Sequence, residues 1–315
     1  MEPAQTAPPA GSFAFAHLSD PHLTSAREVP WSQLLNKRGL GYLSQGSEGK
    51  GCQTALRALT ADLSAGHPQH IAVTGDLTNL GTGVEYRQAA DWLASLGAPE
   101  TLSVVPGNHD CYAPALWAET LAQWRPWLAS DDGGDGGFPT VRCRGPVAFI
   151  GVSSAVPTAV GLATGWLGRG QRERLAEALR WTAAAGYCRV LLIHHPPQPY
   201  AVAWRKRLTD APEVRAVLAS LGAELVLHGH AHRFILDGIE GPGGAIPVLG
   251  APSASASAAT PAYRAGYYRC RVDTTAQSWV WGIEARSLAP AGKGWQRLDA
   301  FSGRLYAGGP GRAAV

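Results

Sequence analysis

The chain lacks the features that mark membrane-spanning, exported or nucleic-acid-binding proteins. No run of ~18 apolar residues occurs among its 315 residues, so we expect no membrane-spanning helix. Residues 1–11 are rich in Pro and Ala but have no basic start followed by an apolar core, so they do not resemble a secretory signal. The net charge is only +3, and no basic cluster typical of a dedicated nucleic-acid binder is present. These absences predict a soluble, cytoplasmic protein.

Cysteines are few and do not form a recognisable metal or redox motif. They are Cys52, Cys111, Cys143, Cys188 and Cys270. They are odd in number and widely separated, and no C-x-x-C occurs, which excludes a zinc ribbon and a thioredoxin motif. We therefore expect reduced thiols.

Polar side chains that suit metal binding follow five short apolar runs. The five pieces are Asp20-Pro21-His22, Gly75-Asp76, Gly107-Asn108-His109-Asp110, His194-His195 and Gly229-His230-Ala231-His232. In an open α/β sheet the carboxyl ends of the strands line the ligand crevice, so side chains at five such ends can converge on one point. A mixture of imidazole, carboxylate and amide oxygen suits zinc, manganese or iron better than calcium or magnesium.

Helical and extended patterns alternate through the first two-thirds of the chain. Apolar periodicity predicts helices over 52–65, 84–96, 115–128 with an interruption at Pro126, 171–185 and 212–221. After His232 the pattern changes to extended segments at 234–239, 245–249, 267–273 and 279–285. A parallel part with helices, followed by an antiparallel run, indicates two packed sheets with helices outside.

The five pieces, in this order, resemble the calcineurin-like metallophosphoesterases. That family's pattern is D-x-H, G-D, G-N-H-[DE], a His after an apolar strand, and G-H-x-H, and the resemblance covers roughly Phe13 to Ile283. Residues 193–197 and 75–78 look like the bacterial phosphodiesterase branch, which includes cyclic-nucleotide and glycerophosphodiester hydrolases. The resemblance implies an α/β four-layer αββα sandwich of two mixed sheets with flanking helices. We expect this domain over 13–287, a disordered segment over 1–12 and a partly disordered tail over 288–315.

The resemblance also implies a role for each residue of the five pieces. It assigns Asp20, His22 and His232 to a first metal, Asn108, His194 and His230 to a second, and Asp76 to both as the bridging ligand. The cofactors would be two metal ions, manganese, zinc or iron. The non-ligand His109 would stand beside the leaving-group oxygen, and Asp110 would orient the imidazole of His109.

Three further histidines lie close to the five pieces in the sequence. The family uses the first His after the strand, so we expect His195 to pack or hydrogen-bond beside the site. His17, within the first strand, and His228, just before Gly229, are likewise expected to be hydrogen-bonded without binding metal.

The implied reaction is phosphoester hydrolysis by a hydroxide that bridges the two metals. No Arg or Lys occurs in the five pieces, which favours a diester over a more highly charged monoester. Alternative functions are a lipid-headgroup phosphodiesterase or pyrophosphatase at a membrane surface and, less favoured, a non-catalytic scaffold. The protein-phosphatase block G-D-x-x-D-R is absent, since Gly75-Asp76 is followed by Leu77-Thr78-Asn79-Leu80. The expected substrate is a small phosphodiester or a lipid-linked phosphoester, without dedicated nucleic-acid binding.

Two other segments are candidates for substrate contacts. Arg205, Lys206 and Arg207 follow Trp204 and either place cations at the mouth of the site or form a solvated start of the next helix. Residues 31–43 combine apolar and aromatic side chains with Lys37 and Arg38. This stretch is a helix packed on the core, a lid over a lipid-like substrate, or a peripheral membrane contact.

Overall fold

The computed structural model describes residues 11–23, 49–111, 120–133, 137–257, 260–274, 278–289 and 294–308. The predicted lid or membrane contact at 31–43 lies outside these residues. The helices are α1 (Gly49–Ala65), α2 (Gly83–Leu96), α3 (Arg125–Leu128), α4 (Arg169–Ala184) and α5 (Ala211–Leu221). The strands are β1 (Ser12–Leu18), β2 (His70–Val73), β3 (Leu102–Val104), β4 (Thr140–Arg144), β5 (Val147–Gly151), β6 (Cys188–Leu192), β7 (Leu225–His228), β8 (Ile235–Gly241), β9 (Gly244–Gly250), β10 (Gly266–Thr274), β11 (Ser278–Leu288), β12 (Trp295–Arg297) and β13 (Gly303–Gly308).

Within the described ranges the strands form two mixed sheets. The first has the order β12–β11–β10–β1–β2–β3, with β13 also paired with β11. The second has the order β4–β5–β6–β7–β9–β8. The strands β1, β2 and β3 are parallel to one another, as are β5, β6, β7 and β9. Two mixed sheets with flanking helices confirm the predicted fold class.

The two sheets pack face to face through large apolar side chains. On β1 the side chains alternate, and Phe15 meets Phe149 of β5 edge to face, with ring centroids 5.1 Å apart. Phe15 also contacts Trp281 of β11 at 6.0 Å. These three rings are almost fully buried, and they belong to the main core cluster. A second core lies between the second sheet and the helices α4 and α5.

Local sequence signals explain where the helices begin. Thr82 precedes α2, and its hydroxyl accepts a hydrogen bond from the backbone N–H of Glu85 while Glu85 Oε2 accepts one from the N–H of Thr82. This reciprocal capping box satisfies two donors that the first turn leaves unpaired. In α5 the proline is in the first turn, where its missing N–H is not needed.

The structure corrects several sequence predictions at the level of elements. The predicted helix 115–128 is, over its described part, a 3-10 turn at Leu121–Trp124 followed by the single turn of α3. Pro126 lies in the first turn of α3, where it starts this helix instead of interrupting one. The sequence pattern does not predict the strand β4. The strands β12 and β13 extend the first sheet beyond residue 287, where the sequence predicts the domain to end.

The parallel strands bring the polar pieces to one edge. The N–H of Asp20, just after β1, donates to the carbonyl of Gly75 after β2 at 2.9 Å. In the second sheet the N–H of Gly229 donates to the carbonyl of His194 at 3.1 Å. The loops that follow neighbouring strands are therefore held to one another. Among the described residues, no helix has the length and apolar character needed to cross a membrane.

Candidate metal centre

The predicted ligands converge as two groups that share one carboxylate. Each group offers ligand atoms that all lie within 4.8 Å of one another. The first group consists of Asp20, His22, Asp76 and His232, and the second of Asp76, His194 and His230. This is the division between two metals that the family resemblance implied. Asp76 is the member that belongs to both groups.

In the first group the imidazole nitrogens face a buried carboxylate. His232 Nε2 lies 3.0 Å from Asp20 Oδ1, and His22 Nε2 lies 3.7 Å from the same oxygen. The Nε2 atoms of His22 and His232 are 3.1 Å apart. Asp20 is fully buried, so its Oδ1 is held away from water. A buried anionic oxygen faced by two imidazole nitrogens fits the coordination of a cation.

The second group adds an amide oxygen. His194 Nε2 lies 3.3 Å from Asp76 Oδ2 and 3.2 Å from Asn108 Oδ1. The rings of His194 and His230 meet at 66°, with centroids 5.0 Å apart. Asn108 is buried, so its side-chain oxygen is directed to this group and away from solvent. The structure thus brings together all seven residues predicted to bind metal.

Backbone carbonyls fix which nitrogen of each ring faces the group. His194 Nδ1 lies 2.6 Å from the carbonyl oxygen of Thr74. A carbonyl can only accept, so Nδ1 carries a proton, and Nε2 is the nitrogen that faces Asp76. His230 Nε2 lies 2.9 Å from the carbonyl of Lys206, which leaves the Nδ1 lone pair of His230 for the cluster. Such contacts behind a ligating imidazole typically orient it and raise its basicity.

Several residues of the site have a left-handed backbone conformation, which residues other than glycine rarely adopt. Among the described residues, seven non-glycine positions have a positive φ between 44° and 64°. Five of the seven are candidate ligands: Asp20, His22, Asp76, His230 and His232. Each such residue carries a conformational cost, which surrounding structure must offset, and such costs cluster at functional sites.

Two glycines are required because the loops approach closely. A Cβ on Gly107 would collide with the carboxylate of Asp76, and a Cβ on Gly229 would collide with the side chains of Ser19 and Asp20. Gly107 does not have a positive φ in this structure, so glycine is needed there because a side chain would not fit. Larger residues at either position would move a candidate ligand.

The two carboxylates are held in the ionised form. Burial raises the pKa of Asp76, but the adjacent His194 and His109 have the larger combined effect and hold the pKa well below its ordinary value. For Asp20, burial is likewise outweighed by His232, and the pKa is lowered to about 2. Asp76 Oδ1 also accepts a hydrogen bond of 2.8 Å from the N–H of His109. Asp76 Oδ2 therefore faces His194, and Asp76 Oδ1 holds the loop that contains His109.

The residues predicted to be catalytic lie beside the first group. The ring of His109 meets the ring of His22 at 82°, with centroids 4.9 Å apart. His109 Nδ1 lies 2.6 Å from the carbonyl of Asn79, which accepts a hydrogen bond from Nδ1 and holds the ring. The orienting contact expected from Asp110 is therefore supplied by a backbone carbonyl.

Asp110 instead binds the backbone of the two loops that carry Asp76 and Asn108. Its carboxylate accepts hydrogen bonds from the N–H groups of Leu77, Thr78 and Gly107 at 3.2, 2.8 and 2.9 Å. The hydroxyl of Thr78 donates a further bond of 3.0 Å. Burial, together with the negative charge of Asp76, raises the pKa of Asp110 to about 7. The role of Asp110 is to fix the loops that carry Asp76 and Asn108.

The other buried histidines have partners outside both groups. His195 lies between the hydroxyl of Ser154 at 2.8 Å and the carbonyl of Ala163 at 3.2 Å. His17 Nε2 is 3.0 Å from Thr74 Oγ1, and its ring stacks on Tyr268. Burial lowers the pKa of both His195 and His17 to about 3, so both rings are neutral.

His228 is a third such histidine. Its Nε2 lies 2.8 Å from Gln198 Nε2, and its Nδ1 lies 2.9 Å from the carbonyl of Gly229. Burial lowers the pKa of His228 to about 4. It hydrogen-bonds beside the site, as the sequence predicted for a histidine without a metal role.

The three predicted substrate-binding cations have different surroundings. Arg205, Lys206 and Arg207 are all exposed. Lys206 lines an open groove of about 530 Å³ together with His230, and the same groove includes Arg233, which no sequence motif indicates. Arg207 turns its guanidinium toward Trp204, where Nη1 donates to the backbone carbonyl at 2.8 Å. Of the predicted trio, Lys206 is the cation that borders the groove next to the cluster.

Comparison with known proteins places the chain in a family. Residues 13–234 match the model of the calcineurin-like phosphoesterases, so the chain belongs to that family. It is 28% identical over 223 residues to a probable cyclic nucleotide phosphodiesterase of Synechococcus, a match that covers 69% of this chain and 78% of the relative.

Solved structures share the fold at low sequence identity. A dimetal phosphatase from Danio rerio superposes with a TM-score of 0.60 at 15% identity, over 91% of this chain and 99% of that one. A purple acid phosphatase from yellow lupin gives a TM-score of 0.58 at 11% identity, over 92% of this chain and 54% of that one. Family membership and the His/Asp cluster together indicate a metal-dependent phosphoester hydrolase with a binuclear metal centre.

Proposed function

We propose that this protein is a phosphodiesterase that hydrolyses a small phosphodiester at the two groups joined by Asp76. When bound, two divalent or trivalent ions would activate water for attack and offset negative charge on the phosphate. Asp20, His22 and His232 would hold one ion, and Asn108, His194 and His230 the other, with Asp76 shared. The mixed imidazole and oxygen ligands favour manganese, zinc or iron.

The observation that carries the diester proposal is a groove on each side of the cluster. His22, of the first group, lines a groove of about 510 Å³ together with Leu56, Arg57 and Trp92. His230, of the second group, lines the separate groove of about 530 Å³ at Lys206. A phosphate over the cluster thus has room for an alcohol group in two directions. A diester has two such groups and a monoester has one.

The charge around the cluster also suits a diester. The loops that carry the candidate ligands contain no Arg or Lys, apart from Arg233 immediately after His232. A diester carries one negative charge, while a monoester carries up to two and needs more cations around it. The similarity to a probable cyclic nucleotide phosphodiesterase supports the same preference.

His109 is the residue best placed to assist the leaving group. Its Nδ1 is held by the carbonyl of Asn79, so its Nε2 is the nitrogen that would face the leaving group. The ring lies against His22, at the edge of the first group. A proton on Nε2 would be given to the departing alkoxide, a general acid role that typically contributes ~10²–10⁴-fold.

The test compares two substrates with the same leaving group. Wild-type protein loaded with manganese is assayed with bis(p-nitrophenyl) phosphate and with p-nitrophenyl phosphate at neutral pH, and kcat/KM is measured for each. We expect the diester to give the higher value. A clear advantage for the monoester would contradict the diesterase proposal and leave the broader phosphoesterase assignment.

A lipid-linked diester is a second candidate substrate. Exposed aromatic and basic side chains border the groove at His230, and these suit a lipid surface better than a small soluble ester. A non-catalytic scaffold is disfavoured because the full set of candidate ligands is present and converges.

A further inference from the structure

Exposed large hydrophobic side chains are concentrated on one part of the surface. Among the described residues, six such side chains are exposed. They are Val160, Trp166, Trp181, Tyr200, Trp204 and Tyr263. Tyr200 and Tyr263 line the groove at His230, and Trp204 lies between the lining residues Ala203 and Lys206. Val160 and Trp166 belong to the segment that is hydrogen-bonded to residues 205–207, whereas Trp181 lies on α4. Exposed apolar side chains grouped in this way mark an interaction surface, whereas single ones need no explanation.

These segments form a connected surface, which we call the rim. The rim comprises residues 158–166 and 200–207 together with Arg233 and Tyr263. Its two longer segments are joined by hydrogen bonds from the N–H groups of Ala163 and Gly165 to the carbonyls of Arg205 and Arg207, each 3.0 Å long. The carbonyl of Lys206 accepts the bond from His230. The rim is therefore tied directly to a candidate metal ligand.

All charged residues of the rim are basic. They are Arg205, Lys206, Arg207 and Arg233, and no Asp or Glu occurs in the two longer segments. The next acid along the chain, Asp210, is buried and bound to Arg172, so it does not offset the rim's charge. A surface of this kind complements an anionic partner.

Two aromatic side chains of the rim are largely exposed to solvent. Tyr200 is 98% exposed and Trp204 is 70% exposed. Tyr200 also has a φ of 63°, a left-handed conformation that is strained for a large aromatic residue. Of the seven positive-φ side chains described, Tyr200 and His67 are the two that are not candidate ligands. The backbone is thus strained at a position where the ring is almost fully exposed.

We propose that the rim docks this protein on an anionic phospholipid surface. Tyr and Trp prefer the boundary between headgroups and acyl chains, where their rings are apolar at one end and polar at the other. Lys and Arg beside them are attracted to the negative surface potential of anionic lipids. Docking through the rim would bring the groove at His230, and with it the cluster, against the headgroup layer.

The composition of the rim favours a bilayer over other anionic partners. The groove within the rim is open, not an enclosed pocket shaped for one small molecule. The exposed aromatic side chains Trp166, Tyr200, Trp204 and Tyr263 are spread over three segments of the rim. This inference goes beyond the proposed function, since docking is measured without hydrolysis.

The test is co-flotation of the metal-loaded full chain with vesicles. We expect the wild-type protein to float with vesicles of phosphatidylcholine and phosphatidylglycerol, and more weakly with phosphatidylcholine alone. Replacing both exposed rings, Tyr200→Ser with Trp204→Ser, should lower the partition coefficient about tenfold or more. The matched control is Trp181→Ser, which removes an exposed Trp from α4 and should leave partition unchanged.

Two variants that each remove one Arg test the electrostatic contribution to membrane binding. Arg205→Gln should weaken partition to the anionic vesicles about fivefold. Each Lys or Arg near an anionic lipid surface contributes a binding free energy that corresponds to a factor of about this size. Arg180→Gln on α4 removes an exposed Arg outside the rim and should have no effect. Thermal unfolding of each variant confirms that it is folded.

Two results with vesicles alone would overturn the inference. One is a wild-type protein that does not float with the anionic vesicles. The other is a folded ring variant that floats as well as Trp181→Ser. If adenosine monophosphate or an acidic peptide prevents flotation while binding to the rim with high affinity, the surface serves a soluble ligand and the membrane assignment is wrong.

Discussion

At the residue scale, the imidazole of His109 is positioned differently from the candidate ligands. The N–H of His109 binds Asp76, and its Nδ1 binds the carbonyl of Asn79, so its place depends on backbone contacts. It is absent from both groups of converging ligand atoms. Its function can therefore be separated from metal binding.

Replacing His109 by Asn should reduce turnover strongly while metal content is kept. We expect kcat on bis(p-nitrophenyl) phosphate to fall by ~10²–10⁴, because a general acid is removed. Elemental analysis and steady-state kinetics on the same preparation measure both quantities. His67→Asn, at an exposed histidine outside both groups, is the control and should be unchanged. Metal loss parallel to the loss of turnover would make His109 a ligand.

Gly107 provides a second residue-scale prediction. In Gly107→Ala the new methyl group would displace the carboxylate of Asp76, so metal affinity and hydrolysis should both fall. The clash of the new methyl group with the backbone of Asp76 should also lower the free energy of unfolding by about 1–3 kcal/mol. Gly303→Ala is the matched control, since nothing lies within 4 Å of the position that its methyl group would take. A Gly107→Ala protein with normal metal content would show that Asp76 does not need this close approach.

The identities of the site residues could be predicted from the sequence, but their orientation could not. Asp20, His22 and Asp76 are specified by short motifs at strand ends. The contacts of Thr74 and Lys206 with His194 and His230 are made by carbonyl oxygens, which every residue carries, so no side-chain pattern reveals them. Sequence spacing also could not show that Asn79, and not Asp110, holds His109.

At the element scale, the sequence predicts elements with strong periodicity and misses those defined by pairing. The helices α2, α4 and α5 are predicted to within about two residues. The strand β4 has polar and charged residues at alternate positions, and it is a strand because it pairs with β5. The strands β12 and β13 likewise depend on pairing with β11. Such strands become visible only when the partner is known.

An ion-pair network attaches α1 to the outer face of the first sheet. Asp62 on α1 accepts bonds of 2.7 and 2.6 Å from Arg286 Nε and Nη2, and one of 2.6 Å from the hydroxyl of Tyr267. Burial raises the pKa of Asp62, but the bonds from Arg286 and Tyr267 together lower it below its ordinary value. The carboxylate is therefore favoured in the folded state.

Replacing Asp62 by Asn should destabilise the protein at neutral pH by about 1.5–3 kcal/mol, the range for hydrogen bonds to charged groups. Because the folded pKa lies below the unfolded one, this stabilisation is complete above about pH 4 and is lost as the pH falls through the folded pKa. Urea unfolding at pH 7 and near pH 3 measures the difference between wild type and variant. The control is Asp91→Asn at an exposed site. A difference that stays constant down to pH 3 would contradict the ion-pair account.

At the scale of the whole molecule, the ends of five strands, which belong to two sheets, bring distant parts of the chain to one site. Asp20 and His230 are 210 residues apart, yet the N–H of His230 donates to Asp20 Oδ2 at 3.0 Å. The first metal group draws from both sheets, as does the second. A centre of this kind can form only when the sandwich is complete, so metal binding reports on the entire fold.

The most direct measurement is the metal content of the purified chain. After loading with manganese and desalting, elemental analysis should find about two ions per chain, as expected for a shared carboxylate between two groups. Asp76→Asn should lower occupancy at both positions, while Asp91→Asn should keep it. A folded wild-type chain with metal content near zero, or an Asp76→Asn chain that retains both ions, would contradict a binuclear centre built on Asp76.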